Sequence, residues 1–158
     1  MTAASSDTTV PTATPADQLI ALVRDLTRSL RADIDSRLEP MGLSQAQWRP
    51  LLILHKAGGP LSQTELARQL DIEAPSLVRL LDRLAEKNWI ERRSAPGDRR
   101  VRQVFLMPDS QQLIAQILPV VHEVKEQALA GLAAGEIAVC LQALEKIRDN
   151  LRVSSGES

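Results

Sequence analysis

Apolar residues recur at helical spacing along most of this chain, and the breaks in that period divide it into elements. Leu19, Leu22, Val23, Leu26, Leu30, Ile34 and Leu38 mark one face of a long helix. Thr14 can cap it, Pro15 suits its first turn, Asp17 can reach back to the cap, and Glu39-Pro40 stops it. Ser44 followed by Gln47 opens a second helix, carried by Trp48, Leu51, Leu52 and His55 and ended by Gly58-Gly59-Pro60. Pro50 lies inside it and removes one backbone hydrogen bond.

The next stretch is more diagnostic. Ser62-Gln63-Thr64-Glu65 reads as a capping box ahead of a short helix whose buried face is Leu66, Ala67 and Leu70. Asp71-Ile72-Glu73 makes a tight turn, and Ala74-Pro75 begins a longer helix with the stripe Leu77, Leu80, Leu81 and Leu84. A short capped helix, a three-residue turn and a longer helix make a helix-turn-helix pattern.

After Asn88, a C-cap, the period shortens. Trp89 to Ser94 and Val101 to Leu106 alternate as strands on either side of the turn Ala95-Pro96-Gly97-Asp98. Pro108 starts another helix, Asp109 to about Ala130, bent at Pro119. A last helix, Glu136 to Arg152, carries Ile137, Leu141, Leu144, Ile147 and Leu151. The expected fold is mainly α with a small β-hairpin wing, a winged helix-turn-helix over residues 44–107. The helices over 15–40 and 108–152 carry apolar stripes with no sheet of their own to cover. A second copy covers them in a homodimer; an intramolecular bundle is the alternative.

Charge sharpens this picture. Arg92 to Arg102 holds five arginines against one carboxylate, Asp98. From Arg79 to Arg102 there are eight basic and four acidic residues, a net +4 that leaves −5 for the rest of a chain at −1 overall. A cationic hairpin beside a helix with Arg79, Arg83 and Lys87 on one rung suits a polyanion.

Composition bounds the remainder. At 158 residues the chain reads as one domain over 15–152, with small polar segments 1–14 and 153–158 expected to be disordered. One cysteine, Cys140, excludes an intramolecular disulfide and fits a reducing cytoplasm. It falls on the apolar side of the last helix, as core. His55 and His122 with that cysteine offer no metal-ligand spacing, and neither a nucleophile elbow nor a Gly-rich phosphate loop occurs, so an enzyme and a bound cofactor are not expected.

With its elements in place, the chain resembles the MarR family of bacterial transcriptional regulators, most closely the SlyA-type members, over about residues 16–151. The likeness rests on Leu22-Val23-Arg24, on Ile34-Asp35-x-Arg37-Leu38-x-Pro40 and on Trp48. It is densest from Ile72-Glu73-x-Pro75-Ser76-Leu77-Val78-Arg79 to Leu81-Asp82-x-Leu84-x-Glu86-Lys87, and returns at Asp98-Arg99-Arg100. Leu106-Met107 replaces the usual Leu-Thr after the wing.

The resemblance implies a homodimeric repressor that binds palindromic double-stranded DNA and is released by a small ligand. The helix from Pro75 would enter the major groove. Ser76 would meet a phosphate or base edge, Leu77 a thymine methyl and Arg79 a guanine, with Arg83 on a phosphate. Ser62, Gln63 and Thr64 crown the preceding helix, where N–H groups and hydroxyls suit a phosphate. In the wing, Arg100 matches the family position for minor-groove insertion. Asp98 would hold its guanidinium in a salt bridge, and Arg99 and Arg102 would meet the backbone.

For an effector, Arg24 and Trp48 match the SlyA-type pocket, as the charge and the flat wall for a small aromatic carboxylate, salicylate- or nicotinate-like. Ala46 and Leu52 stand where that pattern has a hydroxyl and an imidazole. The plain structural alternatives are a solvated Arg79, a surface Arg24 and a core Trp48. Two other functions stay open: a winged-helix module that binds protein rather than specific DNA, and a redox sensor acting through Cys140.

Overall fold

The computed structural model describes residues 13–154; the expected disordered ends fall outside that range except at their inner edges. Its order is α1 (Pro15–Leu38), a 3-10 turn (Glu39–Met41), α2 (Gln45–Ala57), β1 (Leu61–Ser62), α3 (Gln63–Leu70) and α4 (Ala74–Glu86). Then follow β2 (Ile90–Ala95), β3 (Asp98–Leu106), α5 (Asp109–Ala128) and α6 (Ala134–Ser154). The mainly helical winged fold expected from the pattern is the fold observed.

The helix ends show why these residues start and stop where they do. Thr14 and Asp17 close a reciprocal capping box, and Ser44 and Gln47 close another. At α3 only half of the expected box forms. Ser62 Oγ accepts from the Glu65 N–H at 3.1 Å, but the Glu65 carboxylate turns to Arg68 and Gln69 instead. Those partners lie one turn along the same helix and offer charge-assisted bonds, which outbid a lone backbone amide. Asn88 sits left-handed at φ 57° just past α4, as a C-terminal stop requires.

The described residues divide into two compact units, with the boundary between Val124 and Lys125. Within the first, α2 separates two apolar cores. Leu51 and Leu54 pack with Leu66, Leu70, the four leucines of α4, Ile90, Val104 and Ile114. Trp48 and Leu52 pack instead with Ile34, Leu38, Leu43, Ile117, Val121 and Val124. Pro50, inside α2, is buried, and the helix continues through it.

The sheet is antiparallel in the order β1-β3-β2. β1 was not legible in the sequence: two residues, Leu61 and Ser62, pair with Val104 and Gln103. β2 and β3 run in register from Ile90↔Leu106 to Ser94↔Arg102. The next pair is Ala95↔Asp98, so Arg99, Arg100 and Val101 form a bulge at the fingertip, and β3 begins at Asp98, inside the stretch expected as the turn.

The second unit contains the end of α5, a turn at Gly131 and α6. Cys140 is exposed, not buried as the apolar periodicity suggested. Val139, Leu141, Leu144 and Leu151 on α6 are exposed as well, and so are Leu19, Ile20, Leu22 and Leu26 on α1. A single copy leaves these stripes without cover.

Candidate nucleic-acid interface

The two halves of α4 are set by its leucines. Leu77, Leu80, Leu81 and Leu84 are buried, which turns Pro75, Ser76, Val78, Arg79 and Arg83 to the surface. Leu77, expected to reach a thymine methyl, is only 2% exposed and cannot meet a base. Full burial of a leucine stabilises the fold by about 1.5–3 kcal/mol, so withdrawing it into a groove would cost most of that. Val78, 42% exposed, is the apolar side chain that this helix does offer. A step of 100° per residue off the leucine stripe was the signal that could have found it.

Arg79 makes no ion pair among the described residues; the Asp82 that could have held it is bound elsewhere. Asp82 Oδ1 accepts from the Arg92 guanidinium at 2.6 Å, which ties α4 to β2. Arg93 pairs with Glu91 at 2.5 Å and lies 4.9 Å over the Phe105 ring. Lys87 lies 4.6 Å over Trp89. Of these contacts Asp82–Arg92 ties the base of the wing to the helix beside it, and Arg93 over Phe105 ties β2 to β3.

At that tip, Gly97 adopts φ 87°, a left-handed value that the tight turn needs and that glycine takes without a Cβ penalty. Asp98, Arg100 and Arg102 are exposed. The expected Asp98–Arg100 salt bridge does not form. Asp98 Oδ1 accepts instead from the backbone N–H of Arg100 at 2.9 Å. The bulge takes that amide out of the β2–β3 ladder, and a short aspartate two residues back is the nearest acceptor. The Arg100 side chain is thereby released from Asp98. The side chain of Arg99 lies outside the described residues.

Ser62, Gln63 and Thr64 stand at the start of α3; Ser62 Oγ accepts from the Glu65 amide, which leaves its O–H to donate. Gln63 and Thr64 follow it in the first turn, Thr64 exposed.

Arg24 and Trp48 do not share a pocket wall. Arg24 lines an open groove of about 570 Å³ with Thr27, Arg28, Arg31, Asp35 and Gln45. Trp48 is 4% exposed and belongs to the second core. Its indole N–H reaches the groove only through Asp35, donating to Oδ1 at 3.2 Å. The core needs the ring and the ring needs an acceptor, and Asp35 supplies one at the rim. Arg28 is held by Asp25 at 2.9 Å. Neither Ala46 nor Leu52 lines this groove.

Among the described residues no cluster of His, Cys, Asp and Glu could hold a metal ion, and no helix is long and apolar enough to cross a membrane.

Residues 41–101 match a model described as the MarR family. Among solved structures, the transcriptional regulator PA3341 is 36% identical, with a TM-score of 0.80 over 85% of this chain and 98% of that one. A cysteine-to-serine mutant of MarR from E. coli, solved with operator DNA, is 25% identical, with a TM-score of 0.70 over 82% and 93% of the two chains. A MarR-family regulator from Silicibacter pomeroyi is 25% identical, with a TM-score of 0.76 over 87% and 92%.

Proposed function

We propose that this chain, which belongs to the MarR family of transcriptional regulators, binds palindromic operator DNA as a homodimer and represses transcription from it. As a member of that family it is a regulator and not an enzyme. The observation that carries the reading is the pairing of an unoccupied cationic reading helix with a cationic wing through Asp82 and Arg92. The mutant E. coli relative solved on operator DNA supports the same partner.

In this reading Arg79 pairs with a guanine edge, Val78 replaces Leu77 against a thymine methyl, and Ser76 and Arg83 meet phosphates. Pro75 sets the first turn of α4 close to the backbone. Ser62, Gln63 and Thr64 present the start of α3 to a phosphate. Arg100 enters the minor groove, with Arg99 and Arg102 on its flanking phosphates and Asp98 shaping the loop. The exposed stripes of α1 and α6 are the surfaces that a second copy covers.

The effector is a small aromatic carboxylate, salicylate- or nicotinate-like, as in SlyA-type regulators. Support comes from the groove lined by Arg24, Arg28 and Arg31. Trp48 acts there through Asp35 and not as a wall. Titration with salicylate and with nicotinate, following tryptophan emission and operator release, tests this part separately.

Binding to the DNA upstream of its own gene at about 50 and 200 mM salt tests the main reading. A dimer neutralising 6–10 phosphates loses roughly 10³–10⁵ in affinity across that range. A salt-insensitive protein partner and no duplex binding would instead make it an interaction module.

A further inference from the structure

Arg49 takes no part in the contacts described so far. It stands in the first turns of α2, half-buried, and among the described residues no ion pair or side-chain hydrogen bond engages it. Burial, followed by the like charge of Arg31, pushes its guanidinium below the usual arginine range, and Asp71 offsets this only in part. A cation held in apolar surroundings against a second cation destabilises the fold, and such placements collect at sites that bind something. The surroundings show what. Arg49 lines a cavity of about 240 Å³ with Arg83, Ser76, Gln45, Leu70 and Leu80. Two guanidiniums, a hydroxyl and an amide line one cavity with donors that suit an oxyanion, and the leucines beside them lower the local dielectric and strengthen the attraction.

We infer that Arg49 and Arg83 form an oxyanion site which takes a backbone phosphate of the bound duplex, extending the footprint from α4 onto α2. The inference rests on the DNA-binding reading above. A DNA phosphate is favoured over a free anion because Ser76 and Arg83 belong to the helix that would already lie against the duplex. Arg49 then acts as a clamp on phosphate, blind to sequence.

The test compares wild type with Arg49→Gln, Arg49→Lys and Lys56→Gln, the last removing a charge at the other end of α2. Operator affinity is measured against salt, together with thermal stability. Arg49→Gln should flatten the log–log salt slope by about two for the dimer, one phosphate per subunit at about 0.9 each. It should weaken operator and unrelated duplexes by the same factor. Arg49→Lys should keep the slope, and Lys56→Gln should leave it alone. Because the charge is unfavourable in the free protein, Arg49→Gln should melt at the same temperature or higher.

An unchanged slope in Arg49→Gln, with wild type binding DNA, overturns the site and leaves the DNA-binding reading intact. A lowered melting temperature with a parallel loss of affinity makes Arg49 structural and overturns it too. Inorganic phosphate at constant ionic strength is the remaining arm. If it displaces DNA from wild type but not from Arg49→Gln while the two share one salt slope, the site takes a free anion and not the backbone. Failure of wild type to bind any duplex removes the DNA-binding reading itself.

Discussion

Asp82 on α4 and Arg92 on β2 meet at 2.6 Å, one residue from the reading helix and one from the wing. With Arg92 30% exposed and Asp82 48% exposed, the pair adds about 0–1 kcal/mol to stability. Its larger effect is to limit how far the wing can swing from the helix. Arg92→Ala should therefore leave the melting temperature within a few degrees, speed hydrogen exchange in β2 and β3, and weaken operator binding. Exchange rates unchanged from wild type would remove the strut role.

Arg100 and Arg79 divide the labour of recognition in this reading. Arg100→Ala should weaken operator binding by about 1–3 kcal/mol, the scale of one groove contact. Arg79→Ala should relax base preference within each half-site, read from a selected pool of duplexes. Because Asp98, among the described residues, holds the Arg100 amide and no side-chain cation, Asp98→Ala should loosen the fingertip, and Asp98→Asn should retain most of the affinity.

Leu77 and Val78 are neighbours with opposite fates. Leu77→Ala empties a site in the first core and should cost about 2–5 kcal/mol in denaturant unfolding. Val78→Ala should cost little stability and should weaken preference for thymine at one operator position. The reverse pattern, a stable Leu77→Ala with altered base choice, would show that the leucine faces the duplex after all.

Glu65 carries a pH dependence that the geometry makes explicit. Hydrogen bonds from Arg68 first, then Gln69, hold its carboxyl down to about 2 from an ordinary 4.5. A folded-state pKa below the unfolded one gives stability that is complete above about 4.5 and fades as pH falls toward 2. The side chain is 35% exposed, and solvent screening keeps the effect small. Glu65→Gln should flatten that acid limb of a stability–pH curve and leave neutral pH nearly unchanged. Ser62→Ala, which removes the cap that does form, should cost about 1 kcal/mol at every pH.

What the sequence determined by itself is what repeats over short distances. Stripes such as Leu77, Leu80, Leu81 and Leu84, the Thr14 and Ser44 caps and the Gly97 turn act within a few residues, so pattern alone located nearly every helix and both long strands. The cationic hairpin was legible for the same reason. Tertiary structure decided whatever needed a partner far along the chain. β1 exists because Leu61 and Ser62 meet β3 more than forty positions away, and Trp48 lies in the core because Ile34 and Val121 close over it. Arg92 is occupied because Asp82 comes within reach, and Arg49 is half-buried because α2 packs beside α3 and α4. Periodicity names the face that will be buried. Only packing settles which charge on the other face is spent and which is left for a ligand.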